Sequence, residues 1–235
     1  MTPPATCEDL ARRIDYPLLA PRLNDEQVVE GLQLARRLGV AAAIVRPCDI
    51  DLAVRTLQGA AVRVGAVCGF PHGTQNTATK LYEARDLLRR GAREIDMVIG
   101  ASKLLSREFQ HVQAELLQMA ESCHKEGAIL KVILETPWLN RELAIIACRC
   151  AERAEADFVS TGTGFAGADY PLDDIRLLRS HVPEEMGVKT EGVTTLEEAL
   201  AAFEAGAARI GSPAAAAILE AWRKQQSAPS APAVS

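Results

Sequence analysis

One pattern of polar and apolar positions recurs along the chain: a helical segment, a glycine or other small residue, and then a short apolar run. It occupies residues 34–47, 87–100, 123–136, 150–164 and 201–213. The apolar runs are nearly continuous, which is typical of parallel strands covered on both faces. Residues 13–21, 62–73 and 186–192 read as three further strands. The pattern therefore predicts eight parallel strands.

The segments between these strands have helical periodicity. One apolar stripe is formed by Phe109, Val112, Leu116, Met119 and Cys123, and another by Leu81, Ala84 and Leu88. Helix starts are predicted at Asn24 and Thr195, each with a capping-box partner three residues later, and at Asn140. Helix ends are predicted near Gly39, Gly91, Gly127 and Gly206.

Eight strand–helix units in 235 residues favour a single-domain α/β fold, a closed (β/α)8 TIM barrel. We expect the barrel to cover residues 1–222 and residues 223–235 to form a disordered tail. A doubly wound open sheet is the second choice, because no G-x-G-x-x-G motif follows an early strand.

Composition narrows the function classes. The chain is 48% hydrophobic but only 4% aromatic, so its core must consist mainly of Ala, Leu, Val and Ile. A net charge of −5 gives no reason to expect nucleic acid or an anionic membrane as a partner. No apolar run reaches the roughly 20 residues of a membrane span, and the first ten residues do not resemble a secretion signal. A cytoplasmic protein is expected.

The six cysteines are scattered and form neither a metal-site nor a redox motif, so we expect reduced, partly buried thiols.

Candidate chemistry lies at the carboxyl ends of the strands, where barrel enzymes place their active sites. Three charged residues interrupt otherwise apolar strands: Asp96, Lys131 and Lys189. They could form an active-site cluster, or they could neutralise one another as a structural network, since buried charges must be paired. A buried lysine of lowered pKa suits imine chemistry, with a carboxylate such as Asp96 moving protons. Further polar residues at strand ends are Asp15, Arg46, His72, Glu135, Ser160, Thr161, Glu191 and Ser212.

Three stretches resemble the deoxyribose-phosphate aldolase family: GFPHG (69–73), K-x-x-E-A followed by GAREIDMVIGASKL (80–104), and LKVILET (130–136). The resemblance covers most of residues 10–215. It implies a (β/α)8 barrel that cleaves 2-deoxyribose 5-phosphate to acetaldehyde and glyceraldehyde 3-phosphate through a lysine imine, without a metal or cofactor. It also implies carbon–carbon lyase activity in deoxyribonucleotide catabolism.

By this resemblance, Asp96 matches the proton-relay aspartate, Lys131 its partner, and Lys189 the lysine whose charge lowers the pKa of the nucleophile. The family's nucleophile pattern F-[IV]-K-T-S-T-G appears here as FVSTGTG (158–164), which puts Ser160 at the lysine position. Substrate contacts would come from the residues around that position and in the two phosphate loops: Thr161, Gly164, Glu191, Gly192, Gly211 and Ser212.

The phosphate loops also depart from the family. After Lys189 the Gly-Gly pair is reduced to Gly192, and Glu191 puts a carboxylate near the phosphate position. At the last strand, Pro213 removes a backbone N–H that an anion site would use. The imine and phosphate sites therefore change together, while Asp96, Lys131 and Lys189 remain.

Several functions stay open at this point. The chain could be an altered enzyme that forms its imine on Lys189, or one that enolises or hydrates a small aldehyde without an imine. It could instead be a pseudo-aldolase that binds a small ligand or a partner protein. A metal-dependent aldolase is less favoured because the four histidines lack ligand spacing.

Asp15 and Arg46 could contact substrate or form salt bridges at the barrel mouth, and His72 is expected to be a turn residue rather than a catalytic one. The expected partner is a small aldehyde or sugar phosphate, and we also allow for a homodimer.

Overall fold

The computed structural model describes residues 4–165 and 172–227, and it confirms the closed barrel. All eight predicted strands are present, each paired in parallel with the next, and the last pairs with the first. Their bounds are β1 (Ile14–Leu18), β2 (Ala42–Val45), β3 (Arg63–Cys68), β4 (Glu94–Val98), β5 (Ile129–Ile133), β6 (Phe158–Ser160), β7 (Gly187–Thr190) and β8 (Arg209–Gly211). An open doubly wound sheet is therefore wrong for this chain.

The helices surround the barrel, in the alternation that the sequence predicts. They are α1 (Cys7–Ala11), α2 (Asp25–Leu38), α3 (Ile50–Thr56), α4 (Thr77–Arg89), α5 (Ala101–Leu105), α6 (Phe109–Lys125), α7 (Arg141–Arg153), α8 (Leu172–Arg179), α9 (Leu196–Glu204) and α10 (Ala215–Ser227). Short 3-10 turns, Pro47–Asp49 and Thr136–Trp138, follow β2 and β5. No helix in the described part of the chain is long and apolar enough to cross a membrane.

The predicted helix caps are confirmed. Asn24 and Thr195 form reciprocal capping boxes with Gln27 and Glu198, and the Asn140 side chain accepts a hydrogen bond from the Leu143 N–H. Each cap satisfies backbone donors that would otherwise be unpaired at a helix start. These local signals therefore fix where the outer helices begin.

The last helix, α10, continues to Ser227 and so runs five residues into the segment predicted to be a tail. Lys224 in this segment forms an i,i+4 ion pair with Glu220, and Trp222, just before it, is buried. Residues 228–235, the rest of the predicted tail, lie outside the described residues.

The cysteines match their expected state. All six are free, and four of them are buried. Burial raises the pKa of the Cys123 and Cys148 thiols to about 12, which keeps them protonated and unreactive near neutral pH.

The barrel interior is divided between an apolar and a charged half. Ala42, Ile44 and Val67 from β2 and β3 form a small apolar cluster against Leu19 and Phe70. The opposite half, supplied mainly by β4, β5, β7 and β8, carries buried charged side chains. This division places the candidate chemistry on one wall of the interior.

Candidate active site

The strand register brings the predicted charged residues to similar depth inside the barrel. Asp96 on β4 pairs with Lys131 on β5, and Ser160 on β6 pairs with Lys189 on β7. Asp15 on β1 pairs with Gly211 on β8 and completes the ring. Because in-register neighbours in a parallel sheet point to the same face, these side chains share the interior.

Lys131 is fully buried and surrounded by carboxylates. Its Nζ lies 2.5 Å from Glu94 Oε2, 2.7 Å from Asp15 Oδ2 and 3.1 Å from Asp96 Oδ1. The predicted partnership between Lys131 and Asp96 is therefore present, but two other carboxylates lie closer. Asp15, for which sequence left two roles open, is part of this network of salt bridges.

Lys189 is held in the same way. Its Nζ lies 2.5 Å from Asp96 Oδ2, 2.7 Å from Glu191 Oε1 and 2.9 Å from Asp15 Oδ2, and its side chain is 1% exposed. Asp15 and Asp96 thus bridge the two lysines. The ammonium group thus has three carboxylate partners within 2.9 Å and almost no exposure to solvent.

The electrostatics of the network favour charged lysines. Burial by itself lowers the pKa of Lys189, but the attraction of Asp15, Asp96 and Glu191 outweighs it and raises the pKa well above its usual value. The pKa of Lys131 is also raised, for the same reason. The pKa shifts of both lysines are therefore opposite to the lowered pKa that imine formation on either of them would need, because carboxylates surround both ammonium groups.

Ser160 is completely buried, and its hydroxyl group has no hydrogen-bond partner among the described residues. Its register neighbours are Ile133 and Lys189. A serine side chain is three heavy atoms shorter than lysine and cannot form an imine, so this position offers only a hydroxyl group.

Two members of the network, Glu94 and Arg209, were missed from sequence. Arg209 Nη1 lies 2.6 Å from Asp15 Oδ1, and its Nη2 lies 3.5 Å from Glu94 Oε1. Glu94 lies two positions before Asp96, and Arg209 lies two positions before Gly211. Because side chains two positions apart on a strand point to the same face, the sequence could have predicted that both enter the barrel interior. Both residues lie deeper in the barrel than the carboxyl ends of their strands.

Glu191 takes up the space beside Gly211. A β-carbon added to Gly211 would lie 1.6 Å from Glu191 Oε2, so a larger residue there would require the Glu191 carboxylate to move. The Glu191 side chain is 16% exposed and reaches back to Lys189. A carboxylate in this position would repel an anionic substrate group.

Two backbone donors in the candidate phosphate loops are already used within the chain. The Val193 N–H donates to the Gly211 carbonyl, and the Ser212 N–H donates to the Asp15 carbonyl. The Ser212 hydroxyl accepts from the Ala214 N–H, and Pro213 has no N–H to offer. An anion would therefore find few free donors in this region.

The remaining predicted substrate contacts are dispersed. The Thr161 and Thr190 hydroxyl oxygens lie 3.0 Å apart, and the Thr161 N–H donates to the Lys189 carbonyl, so Thr161 links β6 to β7. Gly164 and Gly192 are exposed, with positive φ, and a β-carbon added to either would meet nothing within 4 Å.

Three other strand-end residues have structural settings. Arg46 donates to the carbonyls of Ala20, Pro21 and Leu23 and to Asp49, which anchors the loop after β1. His72 is exposed in the turn after β3. The buried Glu135 carboxylate accepts from the Thr163 N–H, which fixes the loop after β6.

A small cavity of about 10 Å³ lies at the barrel mouth, roughly the volume that one water molecule needs. Its ionisable lining consists of three carboxylates, Asp15, Asp96 and Glu191. The apolar lining includes Phe70, whose ring meets Phe165 edge to face at 5.2 Å. The remaining lining residues are Pro17, Leu19, Ile44, Val67, Ile133 and Thr163.

The pKa of Glu191 predicts a pH effect on stability. Burial raises this pKa, and Asp96 and Asp15 add to the rise, which together outweigh the lowering by Lys189. The folded state therefore favours the protonated Glu191 carboxyl more than the unfolded state does. The stability that this protonation contributes is complete below about pH 4.3, the ordinary pKa of glutamate, and it is lost as the pH rises through the raised pKa of the folded state. Glu191→Gln should therefore gain stability relative to wild type as the pH increases, measured by urea denaturation at several pH values. A difference that is constant with pH would contradict this.

The fold is a closed (β/α)8 barrel with two lysines and four carboxylates in contact inside it. A profile of the DeoC/LacD family aldolases matches residues 23–219. The chain belongs to this aldolase family.

Individual relatives agree with this assignment. The deoxyribose-phosphate aldolase of Caldanaerobacter subterraneus subsp. tengcongensis is 40% identical over 219 residues, covering 92% of this chain and 95% of the relative. That of Thermococcus gammatolerans is 39% identical, covering 93% and 98%. The solved structure of the Aeropyrum pernix enzyme, described as tetrameric, superposes with a TM-score of 0.86 at 32% identity and covers 94% of this chain and 93% of its own.

Proposed function

We propose that this chain is a pseudo-aldolase, a family member that no longer carries out imine-dependent cleavage of 2-deoxyribose 5-phosphate. Its relatives are named for that reaction, so the proposal concerns what this chain has lost. The proposal rests mainly on the absence of a reactive amine. Position 160 is serine, and the Lys189 ammonium group lies within 2.9 Å of three carboxylates.

Imine formation requires a neutral amine that can reach the carbonyl carbon. Lys189 meets neither requirement, because its pKa is raised and its Nζ is surrounded. The alternative of an aldolase that uses Lys189 for another small aldehyde is therefore disfavoured. The loops that would hold a phosphate add to this argument, since Glu191 fills the space beside Gly211.

The proposal also assigns a role that the chain keeps: it binds a small molecule, and it does so in the cytoplasm. The interior is intact and the mouth retains a small lined cavity, so the fold keeps a place for a ligand although its reactive amine is gone. A homodimer stays a prediction from the sequence.

The proposal is tested by borohydride reduction of the wild-type protein in the presence of acetaldehyde or 2-deoxyribose 5-phosphate, followed by intact-mass analysis. We expect no mass increase, because no neutral interior lysine is available to form a reducible imine. The same samples should release no glyceraldehyde 3-phosphate at high protein concentration.

Two outcomes would overturn the proposal. One is an adduct that peptide mapping places on Lys189, and the other is measurable cleavage that Lys189→Arg abolishes. Lys103→Arg, a substitution at an exposed lysine on α5, is the matched control for nonspecific reaction at surface amines.

A further inference from the structure

Two neighbouring helices on the outside of the barrel, α4 and α6, run side by side in the same direction. Lys80 Nζ on α4 lies 3.0 Å from Glu115 Oε2 on α6, and further along both helices Arg85 Nε donates to Ser122 Oγ at 3.3 Å. These contacts join residues that are 35 and 37 positions apart in the chain. A residue on α4 is therefore level with the residue about 36 positions later on α6.

The outward sides of these two helices form one surface with matching levels. Positions three or four apart on a helix point the same way. One such series of exposed positions on each helix comprises Ala78, Tyr82, Arg85 and Arg89 on α4, and Ala114, Leu117, Glu121 and Lys125 on α6. In the order given, each residue of the first series is level with one residue of the second. We call this surface the α4–α6 face.

The amino-terminal half of the α4–α6 face is apolar. Tyr82 is 76% exposed, more than any other large apolar side chain among the described residues, and Leu117 at the same level is 41% exposed. Ala78 and Ala114 extend this strip toward the start of both helices. An exposed apolar patch of this kind with charged residues at its edge is typical of an interaction surface.

The next level of the face carries opposite charges on the two helices. Arg85 lies on α4 and Glu121 on α6, on the two walls of an open groove of about 570 Å³. In the described part of the chain, Arg85 has its hydrogen bond to Ser122 but no ion pair, and Glu121 has no ion pair either. Both charges are therefore available to a partner.

A second copy of this chain matches the face. In a dimer whose two-fold axis runs between the two helices and parallel to them, α4 of one protomer lies over α6 of the other, level by level. Tyr82 then meets the partner's Leu117, and Arg85 meets the partner's Glu121. Because the interface is two-fold, each contact occurs twice. Apolar groups meet apolar groups and cations meet carboxylates, so the face is complementary to itself.

The last level of the face is compatible with this pairing, although it brings Arg89 over the partner's Lys125. Arg89 already pairs with Asp86 on its own helix, and Glu126 lies beside Lys125 in the wall of the groove. Each of these cations thus has a carboxylate next to it.

We propose that the α4–α6 face is the contact surface of a two-fold homodimer of this chain. This inference goes beyond the proposed function and does not depend on it, because the face lies outside the barrel and Ser160 and Lys189 lie inside. Two helices side by side present a face about 20 Å wide and about 20 Å long, which is at the lower end for a specific interface. The dimer should therefore be weak, with a dissociation constant in the micromolar range.

Sedimentation velocity of the full chain from about 1 μM to about 500 μM tests the proposal, and we expect a monomer–dimer equilibrium within this range. Arg85→Glu and Glu121→Arg should each weaken dimerisation at least about tenfold, because each puts like charges opposite one another twice. An equimolar mixture of these two variants should dimerise about as tightly as wild type, since every reversed charge then meets its opposite on the other variant. Circular dichroism verifies that both variants are folded.

Arg37→Glu, a charge reversal at an exposed position on α2, is the matched control and should dimerise like wild type. The proposal is contradicted if the wild-type chain stays monomeric over the whole range, or if either Arg85→Glu or Glu121→Arg dimerises as tightly as wild type. It is also contradicted if the mixture of these two variants stays monomeric, because the two charges would then not face one another across a two-fold axis.

Discussion

Replacing Lys131 by methionine is expected to lower the free energy of unfolding by about 3–5 kcal/mol. The side chain is fully buried, and its Nζ contacts the carboxylates of Asp15, Glu94 and Asp96. Methionine fills a similar volume but carries no charge, so each of the three carboxylates would lose a buried cationic partner. Removing one partner of a buried ionic network costs far more than the network's net contribution to stability.

Urea denaturation followed by circular dichroism measures this effect. Lys103→Met is the matched control, since Lys103 pairs with Glu108 at 2.9 Å but both side chains are more than 40% exposed. Exposed pairs of this kind contribute less than about 1 kcal/mol. If Lys131→Met and Lys103→Met lowered the free energy of unfolding equally, Lys131 would not be part of a buried ionic network.

Ser160→Lys is expected to turn a protein that forms no reducible imine into one that does. The new side chain would enter the interior beside Lys189, its register neighbour on β7, and opposite the apolar cluster of β2 and β3. Burial and the nearby Lys189 ammonium group both lower the pKa of an amine placed there, which favours the neutral nucleophilic form.

Borohydride reduction with acetaldehyde should therefore add one ethyl group to most molecules of the variant, and peptide mapping should place it on residue 160. Ser160→Met is the control, because it adds similar length without an amine. Cleavage of 2-deoxyribose 5-phosphate should remain undetectable in Ser160→Lys, since the Glu191 carboxylate still lies against Gly211. A folded Ser160→Lys variant that gives no adduct would contradict this prediction. It would mean that acetaldehyde does not reach the interior and that position 160 is not where the imine chemistry was lost.

Much of the fold was predictable from sequence because each strand–helix unit repeats the same local pattern. The caps at Asn24, Asn140 and Thr195 and the stripe on α6 depend on residues close in sequence, and the structure confirms them. The end of α10 was not predicted, because it depends on packing of Trp222 and on the Lys224–Glu220 pair rather than on composition.

The candidate site was predictable in part. Asp96, Lys131 and Lys189 were identified because a charge in an apolar strand is conspicuous. The number of carboxylates around each lysine was not predictable, since it depends on which strands face one another across the barrel. Glu94 is one of the carboxylates that contact Lys131, and Arg209 contacts both Asp15 and Glu94. The contacts that bear on the choice between an active cluster and a self-neutralising network thus join residues that lie far apart in the chain.

The central claim is that Lys189 is a permanently charged ammonium group held by three carboxylates. NMR of the protein with ¹⁵N-labelled lysine tests it directly, with the Lys189 Nζ resonance assigned by its loss in Lys189→Arg. The account predicts an ammonium chemical shift that does not titrate between pH 7 and about 10.4, the ordinary pKa of lysine, because the three carboxylates raise the pKa of Lys189. A Lys189 resonance that shows a neutral amine anywhere between pH 7 and about 9 would contradict the account.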